Sequence, residues 1–520
     1  MKNDKLLRGA SLLLALALLP LAALAEDAWD GDAIAKLQAQ MASGATTSRK
    51  LVEHYLARIA AIDARGPSIN SVIEVNPDAL KIADELDAER ARKGPRGPMH
   101  GIPVLLKDNI DTGDRMLTTA GSLALAGAPA AQDAFLVTKL RAAGAVILGK
   151  TNLSEWANWR STRSTSGWSG RGGLTRNPYA LDRNTCGSSS GSGAAIAADL
   201  APVAVGTETD GSIVCPSSIN GLAGIKPTVG LVSRSGVIPI SATQDTAGPM
   251  ARSVADAVTL LNALVGADPK DTATTAKHRP ADTDYSQFLK ADSLRGARIG
   301  VARNLAGFDD RVDKLFEQAI EAMRAQGAII VDKVEVKGGK PLDDAELTIL
   351  HYEFKDGINK YLATRTGVPQ TLAELIAFNE KESAREMPNF GQEIFIKSQE
   401  SGPLTAREYT SAHARAHRLA GPQGIDAAFK KNRLDAIVAP TTGLAWTTDL
   451  VNGDRYTGGA ASQSAAMAGY PHVTVPAGFV QGLPTGVSFI GTAWSEPKLI
   501  GLAYSYEQAT RLRRPPKLPQ

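Results

Sequence analysis

The sequence predicts an α/β fold, one large β-sheet covered by helices on both faces. Three observations carry this. Strand-like and helix-like segments alternate along nearly the whole chain, as expected where helices must cover a sheet. The strand candidates are short, almost wholly apolar runs, such as Ile102–Leu106 and Ala145–Leu148, which suits strands buried on both faces. With 520 residues, 43% of them hydrophobic, the chain can bury an extensive core.

Taken in order, Asp32–Met41 and Ser48–Asp63 are expected to be helices. The second places Leu51, Tyr55, Leu56, Ile59 and Ile62 on one face, with Thr46, Thr47 or Ser48 available to cap it. Ile69–Val75 follows as a strand, and Pro77–Lys93 as a helix with proline near its first turn. Ile102–Leu106 is a short buried strand, and helix Gln132–Ala143 feeds strand Ala145–Leu148. Val203–Thr207 is a strand that runs into a glycine-containing loop. Beyond it, Val254–Val265 and Arg311–Gln326 are expected as helices, and Arg298–Val301 and Ala328–Val336 as strands. Residues 343–431 are mostly helical, and Ala436–Val438, Val473–Val475 and Val487–Ile490 complete the strands. There is no internal repeat and no composition shift to mark a boundary, so residues 26–520 are expected to form a single domain.

The first 25 residues read as a cleavable signal peptide: Lys2, Lys5 and Arg8 precede the apolar run Leu12–Leu19, and Ala23-Leu24-Ala25 is a small-residue cleavage site. The expected location is therefore the periplasm or the medium. Removing that segment takes a net charge of +2 with it and lowers the formal charge from +3 to +1. A near-neutral protein is a poor match for nucleic acid or an anionic membrane. No later stretch is long and apolar enough to span a bilayer. The two cysteines, Cys186 and Cys215, are read as small buried hydrophobes in preference to a bridge, although an exported protein permits one.

Three motifs look functional and are not expected to be. Gly144–Thr151 satisfies the phosphate-loop pattern G-x-x-x-x-G-K-[ST], but its middle positions are Ala-Val-Ile-Leu, a buried strand and not a loop whose amides could face phosphate. Ser495–Lys498 is an S-x-x-K without the companion motifs of penicillin-binding enzymes, and reads as a helix start with proline in its first turn. His413 and His417 lie one helical turn apart, but no H-E-x-x-H accompanies them, and no metal or other cofactor is expected.

Chemistry concentrates in two serine-bearing stretches, Cys186-Gly187-Ser188-Ser189-Ser190-Gly191-Ser192-Gly193 and Thr207-Glu208-Thr209-Asp210-Gly211-Ser212-Ile213-Val214-Cys215-Pro216, with Ser212 24 positions after Ser188. Upstream, Lys107 ends the apolar run of His100–Asn109. One option is a nucleophile elbow, since Gly187-Ser188-Ser189-Ser190-Gly191 matches G-x-S-x-G with Ser189 as nucleophile, His472 as base and Asp435 or Asp454 as the acid. Against it, Asp182–Cys186 does not read as the strand an elbow needs.

The favoured option rests on Lys107 and the two serines. Lysine can serve as a base only when neutral, which requires its pKa to fall by roughly 3 units from about 10.4 through burial. Lys107, Ser188 and Ser212 resemble the Lys-Ser-Ser machinery of the amidase signature family, and the likeness extends over nearly the whole chain after residue 25.

The resemblance implies a large mixed, twisted sheet and hydrolysis of carboxylic amides to acid and ammonia through an acyl-serine. In it Ser212 is the nucleophile, Ser188 the proton bridge and Lys107 the base. It further implies a cis peptide between Gly187 and Ser188, and an oxyanion hole made by the backbone N–H groups of Thr209, Asp210, Gly211 and Ser212. Three positions depart from the family pattern: Cys186 and Asp210 replace glycines, and Val214 stands where arginine is common, which favours a neutral acyl group. Stretches such as Ser154–Asn158, Ala439–Gly443 and Gly491–Lys498 are similar to the peptide-amidase branch, which implies C-terminal peptide amides as substrates, with general aliphatic or aryl acylamides as the alternative. Family members that release ammonia for tRNA loading work in cytoplasmic complexes; the export signal argues against that role, and no obligate partner protein is expected.

Overall fold

A computed structural model describes residues 33–518. The segment Met1–Ala25, read as a signal peptide, lies outside the described residues.

The strands are β1 (Val72–Val75), β2 (Pro103–Lys107), β3 (Val146–Thr151), β4 (Trp168–Ser169), β5 (Gly173–Leu174), β6 (Val203–Glu208), β7 (Ala223–Lys226), β8 (Thr246–Ala251), β9 (Arg298–Val301), β10 (Ile329–Val331), β11 (Ala436–Pro440), β12 (His472–Val480) and β13 (Leu483–Ile490). β4 and β5 pair with each other; the others form one eleven-stranded sheet in the order β1-β3-β2-β6-β8-β7-β12-β13-β11-β9-β10. The sheet is mixed. β2 runs parallel to both β3 and β6, while β6–β8, β7–β12 and β12–β13 are antiparallel.

Alternation along the central strands explains why helices cover both faces. In β2, Val104 and Leu106 join a core with Leu136, Leu140, Val258 and Leu261, supplied by helices Phe135–Ala142 and Val254–Leu264. Leu105, from the opposite face, joins Val52, Ala83, Leu86 and Ala194–Ala198, from helices Ser48–Arg58, Ala79–Lys93 and Ser190–Ala197. By the same two-residue period Lys107 turns to the face of Leu105, where helix Ser190–Ala197 packs.

Most expected elements form. Thr47 is the cap of helix Ser48–Arg58, its side chain accepting from the Lys50 amide. Residues 146–149 lie in β3 as a buried strand, which removes the phosphate-loop option, and Pro497 sits in the first turn of helix Glu496–Thr510.

Other expectations need correction. The strand expected over Ala328–Val336 is only Ile329–Val331, because Lys333 adopts a left-handed φ of 57° that turns the chain off this edge strand. Val473–Val475 and Val487–Ile490 are strands as expected, but extended into one long hairpin closed by Gln481 and Gly482, both at positive φ. An element not expected at all also forms: Ser190–Ala197, in the serine-glycine run, is a fully buried helix. Its glycines lower helix propensity, but a Cβ on Gly191 would stand 2.3 Å from the Ser71 carbonyl oxygen and 2.4 Å from that of Asn152. Only glycine lets this helix press against the chain leaving β3.

Candidate active site

β2 and β6 are parallel neighbours; Lys107 ends β2, Ser212 lies in the loop leaving β6, and Ser188 stands just before helix Ser190–Ala197, which leads into β6. Lys107, the last residue of β2, is fully buried. Its Nζ donates to Ser188 Oγ at 2.7 Å, to Thr207 Oγ1 at 2.8 Å and to the Thr207 carbonyl at 3.2 Å. An ammonium carries three N–H donors, and three acceptors surround this one. Burial nevertheless dominates, lowering the Lys107 pKa to about 7 against the opposing pull of Asp245 and Glu208.

Ser188 follows the cis peptide bond Gly187–Ser188 and immediately precedes the buried helix. Its loop is fastened from several sides. The Ser154 amide donates to the Ser188 carbonyl (3.1 Å), Ser190 Oγ donates to the Cys186 carbonyl (2.7 Å), and the Ser189 amide donates to the Ser212 carbonyl (3.2 Å). The last contact joins the two serine-bearing loops directly. A Cys186–Cys215 disulfide, with a Cα–Cα distance of 6.0 Å, joins them again. The expectation of two unbridged thiols is therefore overturned: the fold brings the residue before Gly187 against the first turn of helix Val214–Ile219, a long-range contact that local sequence does not reveal.

Ser212 lies in the turn between β6 and helix Val214–Ile219. Glu208 shapes that turn: its Oε2 accepts from the amides of Ile213 (2.7 Å) and Val214 (3.0 Å), which end free at the start of the helix. Gly211 has a φ of 80°, which suits glycine. Among the described residues, the amides of Thr209, Asp210, Gly211 and Ser212 donate to no protein acceptor, nor does the Ser212 hydroxyl make a hydrogen bond. Ser212 retains 8% exposure, whereas Ser188 and Lys107 have none. The buried amine and buried hydroxyl thus stand behind a slightly exposed serine whose neighbours Asp210 and Gly211 line a cleft.

That cleft, about 180 Å³, is lined by Gly187, Asp210, Gly211, Cys215, Thr442 and Tyr456, among others. A larger cavity of about 700 Å³, lined by Asp111, Asp133, Lys270 and Arg365 among others, contains none of the candidate catalytic residues.

The elbow residues are not brought together. Ser189 Oγ donates to the Thr207 carbonyl (3.0 Å) and accepts from the Thr207 amide (3.2 Å), so its hydroxyl is engaged by β6. His472 lies in β12 paired with Ser488, and burial lowers its pKa to about 3. Asp454 accepts from Ser166 and Trp446, and Asp435 from Arg298.

Thr207, Glu208, Asn109, Tyr456 and Ser462 also belong to the site and were not singled out from sequence. Thr207 and Glu208 stand inside the quoted motif and could have been found there. Tyr456 and Ser462 lie some 250 positions beyond the serines, in a stretch without a motif.

Known proteins resemble the chain over most of its length. A family model described as Amidase matches residues 50–500. A probable amidase of Arabidopsis thaliana is 42% identical over 481 residues, covering 91% of this chain and 88% of the relative. The crystal structure of native peptide amidase from Stenotrophomonas maltophilia superposes with a TM-score of 0.90 at 52% identity, covering 94% of this chain and 99% of that one. A peptide amidase in complex with the competitive inhibitor chymostatin gives 0.92 at 53% identity, with the same coverage.

Proposed function

Because the chain belongs to the amidase signature family and is an amide hydrolase, we propose that it cleaves C-terminal peptide amides through an acyl-enzyme on Ser212, using Ser188 and Lys107 as the proton relay. The carrying observation is the buried Lys107 amine 2.7 Å from the Ser188 hydroxyl.

The steps follow from the positions. Substrate enters with its carboxamide carbonyl against the amides of Thr209–Ser212. As Ser212 Oγ bonds to the carbonyl carbon, its proton passes to Ser188 Oγ while the Ser188 proton passes to neutral Lys107. The negative charge then on the carbonyl oxygen is met by the unpaired amides. The ammonium formed at Lys107 has its three donors matched by Ser188 Oγ, Thr207 Oγ1 and the Thr207 carbonyl, which limits the cost of charging a buried group. When the C–N bond breaks, Ser188 protonates the leaving nitrogen and is reprotonated from Lys107, and ammonia departs. Water repeats the sequence on the acyl-serine: it gives a proton to the relay, attacks the ester carbonyl and releases the acid as Ser212 recovers its proton.

Peptide amides are favoured over other acylamides by the high identity to proteins named peptide amidase, and the small cleft suits a terminal carboxamide with the rest of the chain outside. We assign residues 26–520 as the catalytic domain and the periplasm or medium as its location, from the N-terminal segment alone. The deciding experiment incubates the purified protein with an N-acetylated dipeptide amide, its free acid and propionamide, and measures ammonia. Release from the peptide amide at a rate well above propionamide is expected; equal rates would favour a general acylamide amidase, and none from either would refute the proposal.

A further inference from the structure

Asp210 does more in the cleft than present its backbone amide. Among the residues lining the cleft it is the one carboxylate, and no lysine or arginine side chain lines it; Val214 is apolar. Asp210 is partly exposed; its Oδ1 is buried with no hydrogen-bond partner among the described residues, while the carboxyl lies beside the Ser462 hydroxyl. Behind it stands Glu346, which is fixed: Gln244 Nε2 donates to its Oε1 at 2.8 Å and Gln463 Nε2 to its Oε2 at 3.1 Å. Burial and this second carboxyl push the Asp210 pKa well up.

Direction matters as much as charge. The partners of Lys107 and Ser188 include Thr207 but not Asp210, whereas Asp210 lies with Ser462, Tyr456 and Glu346. The leaving nitrogen must face Ser188 to be protonated, so the Asp210 side of the cleft receives the acyl group. An unpaired acceptor there wants an N–H donor.

We propose that the Asp210 carboxyl, backed by Glu346, is the specificity-determining group of this cleft: it accepts the N–H that an N-acylated amino acid amide carries one carbon from its scissile carbonyl, and it turns away acyl groups that bring a carboxylate to the same place. The proposal rests on the peptide-amide function and names the feature of the substrate that is recognised.

Three amides of matched shape test it: N-acetylalaninamide, O-acetyllactamide, in which oxygen replaces that N–H, and methylmalonamate, in which a carboxylate takes the place of the acetylamino group. Wild type is expected to show kcat/KM about tenfold or more higher for the first than for the second, the scale of one hydrogen bond, and higher still relative to the third. Because Asp210 also supplies a backbone amide to the site, only ratios are read in variants. D210A should bring the first ratio near one. D210N/E346Q keeps an acceptor while removing both carboxyls, so it should retain much of the N–H preference while discrimination against methylmalonamate falls at least tenfold. Equal wild-type rates on the first two amides, or ratios unmoved in both variants, would overturn the inference while leaving the amidase function intact. Failure of wild type to hydrolyse N-acetylalaninamide or any longer peptide amide would instead sink the peptide-amide function, and this inference with it.

Discussion

Replacing Lys107 with methionine is expected to abolish turnover and, at the same time, to make the protein more stable at neutral and acid pH. The side chain is fully buried and burial lowers its pKa to about 7 from an ordinary 10.5. At about 1.4 kcal/mol for each tenfold change in a proton equilibrium, holding the lysine there costs roughly 5 kcal/mol when the unfolded chain is protonated at this position. The sign follows from proton counts. Between about pH 7 and 10.5 the unfolded state binds one more proton than the native state, so this group's contribution to stability rises with pH through that window. Below pH 7 its full penalty applies, and above about 10.5 none remains. Loss of the amine leaves little unpaired, since Asn109 Nδ2 still donates to Thr207 Oγ1 and Ser189 Oγ to the Thr207 carbonyl. Counting protons tests this without assuming two-state unfolding. Unfolding in unbuffered urea under a pH-stat at about pH 8.5 should take up about one proton more in wild type than in K107M, and at pH 5.5 the two should agree. In wild type, kcat/KM should fall about tenfold per pH unit below 7 as Lys107 protonates. Equal uptake at pH 8.5, or a rate profile flat down to pH 5, would refute a neutral lysine base.

Ser212→Ala should eliminate ammonia release, and a serine-directed phosphonate should modify Ser212 in a peptide map; modification of Ser189 would revive the nucleophile elbow. Thiol titration of denatured, unreduced protein should find no free cysteine, and C186S/C215S should lower kcat more than it raises KM, because the bridge ties the two serine loops and walls the cleft; unchanged kcat would make the bridge dispensable. Glu208→Ala removes the acceptor of the Ile213 and Val214 amides and is expected to cost about 1–2 kcal/mol of stability together with at least tenfold in kcat, measured by calorimetry and initial rates; full activity would show that the turn holds Ser212 without it.

What could be read from the sequence, and what could not, divides along a physical line. The fold class was legible because apolar runs such as Val104–Leu106 and Val203–Val205 have no purpose other than burial in a sheet. Lys107, Ser188 and Ser212 were legible because each stands in a stretch whose composition is wrong for packing: a cation closing a strand, and hydroxyls interleaved with glycines. The helix Ser190–Ala197 was missed for the same reason. Its Ser-Gly-Ser-Gly composition argues against helix, and only tight contact with Ser71 and Asn152 pays for it.

Partners that meet across the fold left no such mark. The Cys186–Cys215 bridge, the Glu346 carboxyl behind Asp210, and Tyr456 and Ser462 on the cleft wall come from separate elements, and each is an ordinary residue in its own neighbourhood. This asymmetry bears on function. The relay must be built to bond-length tolerance, so it is concentrated in the last residue of β2, the loop leaving β6 and the turn before helix Ser190–Ala197, where backbone geometry can hold it. The walls need only shape and charge, so they are contributed by distant segments that can change without disturbing the relay. A substitution at Tyr456 or Ser462 should therefore move substrate preference before it moves the identity of the nucleophile, whereas any change that separates β2 from β6 removes both at once.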